Sequence, residues 1–576
     1  MFALFLKLKP YAGAVVATLV LVLVQAMAEL GLPTLMAGII DQGVLGRDQG
    51  AVVSGGLWML GLAFLGAGAS MAAAWVSARL AAGYGRDLRA AVFRKTTDLS
   101  VDRFAFFGAA SLITRTTNDV TQVQSFVVMS LRMLAMAPLM AVGGLVMAFS
   151  LDSGLALVLA VAVPFLAVGI VSLASRAVKF FRLVQQKIDR LNLVLRESLT
   201  GVRVIRAFDR QEFDAERFRV ANFDLADVSL KTQKLMALVM PAMMFAMSLT
   251  TVALVWFGGQ RIVLGTLQVG GLMAFLQYAT QILFSLMMMS MLFVLLPRAA
   301  VSAERINEVL ASPEAPGKGE GAGAGPLTEK GAEIEFRHVT FRYPGAEHPA
   351  LQDLTFRVAA GSMTALIGGT GAGKTTVLQL VARFHDATEG EVLVDGLNVQ
   401  QWSRPALRRR LGLSPQKARL FTGTVAENLR WGDADATDPD LLQALDTAQA
   451  REFVDALPEG LGSTIDKAGA NLSGGQKQRL AIARALVRQP AAALFDDSFS
   501  ALDFKTDAAL RAALRHRDGS TILLVAQRVA TVRDADRIVV LDEGRVAGVG
   551  THAELNASCA VYQEIVASQE GRGVGA

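Results

Sequence analysis

A helical bundle of six membrane spans fused to an α/β domain built around a phosphate-binding loop is the fold class this sequence predicts. Three observations predict it. The 576-residue chain is 52% hydrophobic, and its mean hydropathy of +0.41 is too apolar for an ordinary soluble protein. Its long apolar runs gather in the first half, whereas the second half alternates short strand-like runs with helical ones. Between the halves lies SPEAPGKGEGAGAGPLTEKG, rich in Gly and Pro and without periodicity. The expected organisation is therefore a membrane domain over 1–311, a linker over 312–330 and a soluble α/β domain over 331–576.

The spans have cores near 12–35, 56–76, 133–149, 154–173, 235–256 and 271–296. With its flanks, each is long enough to cross a hydrocarbon layer of roughly 30 Å. Lys7 and Lys9 ahead of an apolar run, with Ala26-Met27-Ala28 after it, imitate a signal peptide. The apolar stretch continues past Leu30 and five more spans follow, so a retained helix is expected.

Basic residues concentrate between spans two and three (Arg86, Arg89, Arg94, Lys95, Arg103, Arg115) and between spans four and five (Arg176 through Arg219). The other connections carry little positive charge, which places the two long connections, the N-terminus and the second half in the cytoplasm, at a cell (inner) membrane. This distribution accounts for the net charge of +5 without nucleic acid as a partner. The long connections are helical in pattern and extend spans two to five beyond the bilayer, with Gly201 the weak point. One cysteine, Cys559, rules out an intrachain disulfide, and the five scattered histidines have no metal-ligand spacing. The terminal EGRGVGA reads as a loose tail.

In the soluble half, GGTGAGKT (Gly368, Gly369, Thr370, Gly371, Ala372, Gly373, Lys374, Thr375) fits G-x-x-x-x-G-K-[ST]. It follows the strand-like SMTALIG and opens a helix with Thr375 and Thr376, so its N–H groups and the helix N-terminus can cradle phosphates. Lys374 is placed to reach the β/γ-phosphates of ATP, and Thr375 to bind Mg²⁺. AAALFD supplies Asp496 at the end of a buried strand, placed to hold the metal through its water shell.

The stretch NLSGGQKQRLAIARAL then resembles the signature sequence of ATP-binding cassette proteins. Ser473, Gly474, Gly475 and Gln476 open its helix as a second anion site. The resemblance implies that this site faces the γ-phosphate of ATP held on a partner cassette. It also implies that Tyr343 in FRYPG stacks on adenine, that Gln416 in LSPQKARLF senses the metal and contacts the membrane domain, and that Asp503 in SALD lies at the dimer seam. FFGAASLITRTTNDV and SLTGVRVIRAFDRQEFDAERF are similar to the two cytoplasmic connections of ABC exporters.

The departures from the family pattern are specific. Asp497 stands where the family has a glutamate general base, Gln527 stands for the switch histidine, and Lys467 stands where a glutamate is common. The shorter acid withdraws its carboxylate by roughly one carbon–carbon bond, ~1.5 Å, and glutamine exchanges no proton near neutral pH. The signature is intact. The chain thus resembles the degenerate-site subunit of a heterodimeric multidrug-type ABC exporter. The expected partner is a second half-transporter bearing the Glu base and the switch His, and the expected cargo is hydrophobic or amphipathic, drug or lipid. An importer of metal–chelator complexes, a homodimeric exporter and an ATP-gated regulatory subunit are the alternatives. Methionines in MPAMMFAMS and LMMMSMLF either line a cavity or fill packing gaps. Glu29 either marks function inside span one or sits at the outer interface, and Gln277, Tyr278 and Gln281 either face a cavity or pack.

Overall fold

The structure, a computed structural model, describes residues 7–313, 331–515 and 519–570. Two compact units result: Met1–Thr97 with Ala109–Ser312, and Asp98–Gly108 with Pro313–Ala576. Most of the expected linker, 314–330, and the end of the tail, 571–576, lie outside the described residues.

The first unit is helical: α1 (Ala12–Gly38), α2 (Gln49–Asp98), α4 (Val120–Leu151), α5 (Ser153–Thr200), α6 (Gln211–Ala237), α7 (Val239–Val263) and α8 (Val269–Ala311), with the short α3 (Val101–Phe107) belonging to the second unit. Among the described residues, five stretches are long and apolar enough to cross a membrane: Lys9–Leu45, Gln49–Asp98, Ala109–Leu151, Gln211–Val263 and Val269–Met289. The fourth of the six expected spans falls on α5, where a shorter apolar helix, Ser153–Phe165, is described. The helical extensions are as expected. α2 runs for 50 residues and α5 for 48, both well beyond the roughly 20 that a bilayer needs. The weak point at Gly201 is real: α5 stops there, and the six-residue helix Val202–Ala207 restarts the chain before α6.

Close approach of helices is set by small residues. A Cβ on Gly143 would lie 2.3 Å from Leu30 Cδ1, and one on Gly144 2.8 Å from Ile282 Cγ1, so α1 and α8 both press on the same turn of α4. Polar ties fix the ends. Asp152 caps α5 by accepting from the Leu155 N–H at 2.8 Å, and its carboxylate also accepts from Arg261 at the end of α7, at 2.6 Å. Before α4, Arg115 pairs with Glu308 at 2.7 Å and Asp119 with Arg305 at 3.3 Å, pinning that turn to the end of α8.

The second unit holds two main sheets. One is antiparallel, with order β2-β1-β4-β5, built from β1 (Ile334–Phe341), β2 (Leu351–Val358), β4 (Glu389–Val394) and β5 (Leu397–Asn398). The other has order β12-β11-β3-β10-β9-β6, from β3 (Met363–Gly368), β6 (Leu411–Ser414), β9 (Ala492–Asp496), β10 (Thr521–Val525), β11 (Arg537–Asp542) and β12 (Arg545–Gly550). A minor pair, β7 (Gly423–Thr424) with β8 (Thr464–Ile465), lies apart. The four strand-like runs read from the sequence become β3, β9, β10 and β11. Adjacent strands among them run parallel, and β9 and β10 are buried at every residue, the pattern of a sheet covered on both faces. Because Val525 pairs with both Leu366 and Asp496, the chain leaves β3, β9 and β10 at one level. The loops that follow these three strands form one crevice, where ligands of open α/β sheets bind.

Candidate nucleotide site

The loop after β3 turns into α9 (Lys374–Val381) through Gly371 at φ +86° and Gly373 at φ +93°. Gly373 has no alternative. Besides its positive φ, a Cβ would sit 2.4 Å from Leu351 Cδ2 and 2.8 Å from the Ala350 carbonyl. At Gly371 a Cβ would have nothing within 4 Å, so the positive φ rather than crowding calls for glycine there. Lys374 is 8% exposed and folds its Nζ back onto the carbonyls of Gly368 and Gly369, at 2.8 and 2.6 Å. Burial pushes its ammonium below the usual lysine range, against the pull of Asp497 and Asp496.

Opposite, the Thr375 hydroxyl donates to Asp496 Oδ1 at 2.9 Å, joining the P-loop helix to the end of β9. Burial raises the Asp496 carboxyl above the ordinary carboxylate range, and Asp497 next to it raises it further, although the Thr375 bond opposes both. Asp497 is also raised by burial, against hydrogen bonds from Gln416 and Ser500. Its backbone is left-handed, φ +48°, and its N–H donates to the Val525 carbonyl at 3.0 Å. Gln527, two residues beyond β10, donates from Nε2 to Asp497 Oδ2 at 3.1 Å. The two departures read from the sequence therefore contact one another.

The residues fit a magnesium nucleotide. A hydroxyl beside carboxylate oxygens is the donor chemistry of a hard cation, and two carboxyls held above their ordinary range would be relieved by positive charge. Thr375 and Asp496 would hold the metal, with Gln416 exposed beside Asp497; Lys374 and the loop N–H groups would take the phosphates. When bound, the metal neutralises charge on the phosphoryl oxygens.

Tyr343 follows β1 and is half-buried. Its hydroxyl donates to Gln379 Oε1 at 3.0 Å and lies 3.0 Å from Thr376 Oγ1, which anchors the ring on α9. His385 packs edge-on to that ring with centroids 5.4 Å apart, and its Nδ1 lies 3.1 Å from Asp102 Oδ2 on α3. This link within the second unit, from α3 to the aromatic, was not readable in the sequence, because it joins residues 283 apart.

Ser473–Gln476 lie elsewhere on the unit. Ser473 Oγ accepts from the Gln476 N–H at 3.3 Å while Gln476 Oε1 accepts from the Ser473 N–H at 2.9 Å, a reciprocal capping box on α10 (Gly474–Leu486). Ser473 and Gly474 are exposed, and among the described residues no hydrogen bond is recorded between this stretch and the P-loop. Asp503 is exposed as well and caps the helix Phe504–Arg515 by accepting from the Thr506 N–H at 2.9 Å. Sequence reading also missed Gln569. Its Nε2 donates to the Gln527 carbonyl and its Oε1 accepts from the Val529 N–H, both at 2.8 Å, clasping the Gln527 loop from the C-terminal helix Ala560–Glu570.

Comparison with known proteins agrees with this architecture. Residues 15–287 match the family model described as ABC transporter transmembrane region and residues 351–500 the one described as ABC transporter. An uncharacterized ABC transporter ATP-binding protein of Mycobacterium tuberculosis is 42% identical over 98% of this chain and 97% of its own. An ATP-dependent lipid A-core flippase of Xanthomonas campestris is 31% identical over 97% of this chain and 94% of its own. A bacterial Atm1-family ABC exporter solved with ATP bound superposes with a TM-score of 0.80 at 26% identity, covering 96% of this chain and 99% of that one. The chain belongs to the ABC transporter family, as a multi-pass membrane domain of exporter fold fused to an ABC ATPase domain that binds ATP with Mg²⁺ and couples its hydrolysis to transport.

Proposed function

We propose that this chain is one half of a heterodimeric ABC exporter for hydrophobic or amphipathic molecules, lipids included, and that its own P-loop site binds ATP while hydrolysing it slowly. We assign residues 1–311 to the membrane domain, 312–330 to the linker and 331–576 to the cassette, with the cassette and the N-terminus facing the cytoplasm of a cell membrane. Gly368–Thr376, Tyr343 and Gln416 bind nucleotide and metal with Asp496. Ser473–Gln476 complete the competent site on a partner that carries the Glu base and the switch His, with Asp503 at the seam.

The observation that carries this reading is the contact between Asp497 and Gln527. Hydrolysis needs a carboxylate within reach of the attacking water, then a group that follows the proton and the developing charge. Here the carboxylate is one methylene short and accepts from an amide that cannot titrate. A misplacement of about 1 Å costs on the order of 10²-fold in rate. Nothing comparable burdens the signature, whose cap is complete. The lipid A-core flippase among the relatives supports an amphipathic cargo. The test is to purify the chain alone and together with a second ABC half-transporter encoded beside it. The pair should form a stable complex with robust ATPase activity; a chain that assembles only with itself would refute the proposal.

A further inference from the structure

Within the membrane unit, α1, α4 and α8 line a partly open cavity of about 630 Å³, inside the range of about 300–1,000 Å³ typical of small-molecule sites. It gathers several features that the sequence left open. Glu29 and Gln281 line it, as does Met288, whereas Met240 and Met244 on α7 are exposed outside it. Tyr278 is not part of it; its hydroxyl is spent on the Leu30 carbonyl and Thr34, at 2.8 and 2.7 Å.

The wall from α4 is a stripe: Arg132 and Met133, then Met136 and Met140. Arg132 precedes the apolar core of span three, and among the described residues no hydrogen bond or ion pair is recorded for it. A guanidinium bordering an apolar span is normally paired, so one that lines a cavity without a recorded partner points to a ligand. Glu29 is not its partner. Leu30 packs at Gly143, so Glu29 lies roughly 15 Å further along α4 than Arg132. At that far end the Glu29 carboxylate accepts from Gln25 Nε2 at 2.8 Å, and Gln281, whose Nε2 donates to the Glu29 carbonyl at 3.1 Å, keeps a buried Oε1 without a hydrogen-bond partner. The cavity is therefore cationic at one end, soft and apolar along the middle, and lined by acceptors at the other.

We infer that the cavity binds an amphiphile carrying a single anionic headgroup, a carboxylate or a phosphate, which Arg132 holds while the alkyl chain lies along the methionines. Glu29 rejects a second anion at the far end. The inference rests on the transport reading above and names the class of cargo. Arginine suits the head because its planar fork pairs two oxygens at once. Methionine suits the chain because its unbranched thioether adapts to varied apolar shapes.

The test measures binding without nucleotide, so its outcome does not depend on which ATP site hydrolyses. The full-length transporter in nanodiscs is titrated with radiolabelled dodecanoate, dodecyl phosphate and dodecanedioate, with empty nanodiscs subtracted. The wild type should bind one or both of the mono-anions, whichever headgroup is preferred, and reject the diacid. Arg132→Gln should weaken mono-anion binding by about tenfold or more, with Arg132→Lys recovering part of it. Glu29→Gln should admit dodecanedioate. Thermal unfolding identifies any variant that fails to fold, and the Glu29→Gln gain of binding cannot arise from misfolding. Equal binding of mono-anion and diacid by the wild type, or mono-anion binding that is the same in folded Arg132→Gln, would overturn the inference while leaving the ATPase reading intact.

Discussion

The two nucleotide-facing surfaces of the cassette differ in kind. The P-loop side is buried and crowded with charge: Lys374, Asp496 and Asp497 are each less than a tenth exposed, and both carboxyls are raised by burial. The signature side is an exposed helix start whose polar groups satisfy one another. Two of the three departures from the family pattern, Asp497 and Gln527, fall on the first; the third, Lys467, lies just ahead of the second, whose Ser473–Gln476 stretch is intact. The contrast teaches that the two surfaces are built from separate residues, which is what the proposed division of labour between two cassettes requires.

Substitutions test that separation, the largest effect first. In the assembled pair, Ser473→Ala should reduce ATP turnover by about 10-fold or more while leaving ATP affinity of this chain's P-loop unchanged, measured by nucleotide titration beside steady-state ATPase. The lost cap itself costs about 1 kcal/mol of helix stability, too little to unfold the domain. Lys374→Ala should do the reverse, abolishing nucleotide binding at this chain's P-loop while lowering turnover of the pair by only a few-fold. If both substitutions silence the pair equally, the two surfaces are not separable.

A smaller effect is expected at the clasp. Gln569→Ala removes two hydrogen bonds from the Gln527 loop, each worth about 0.5–1.5 kcal/mol. The cassette should melt a few degrees lower, and amide exchange at Gln527–Val529 should quicken while β9 is unaffected. The smallest effect concerns pH. The Asp497 carboxyl is raised above its ordinary value of 3.8 in the folded cassette, so the folded state binds that proton more tightly than the unfolded chain. Its contribution to stability is present below that value and is lost as pH rises through the folded pKa. Nucleotide-free melting temperatures should carry a falling component across that window, and Asp497→Asn should flatten it.

Much of this was legible in the sequence because it is local. The runs that became β3, β9, β10 and β11 are short, apolar and bounded by turns, and the phosphate loop needs glycine where φ is positive. Gly201 ends α5 because a flexible residue interrupts an otherwise helical pattern. The cap at Ser473 is written in four consecutive residues. What escaped is long-range. Gln569 on the Gln527 loop and His385 on Asp102 join positions 42 and 283 residues apart, with no motif to announce them. Arg132, one residue ahead of the expected core of span three, carries no local signal; the fold sets it in one cavity with the methionines and the far-off Glu29. The Met-rich stretches could not be divided by composition, since the same residue type lines the cavity at Met288 on α8 and is exposed at Met240 and Met244 on α7.

The most direct test of the central claim is the turnover at this chain's own P-loop when Asp497→Glu and Gln527→His are introduced together in the assembled pair and the partner's own P-loop is disabled. The account predicts that the wild-type chain barely hydrolyses ATP, that neither single substitution suffices, and that the double variant gains on the order of 10²-fold. A wild-type chain that already turns over as fast as the double variant would contradict it.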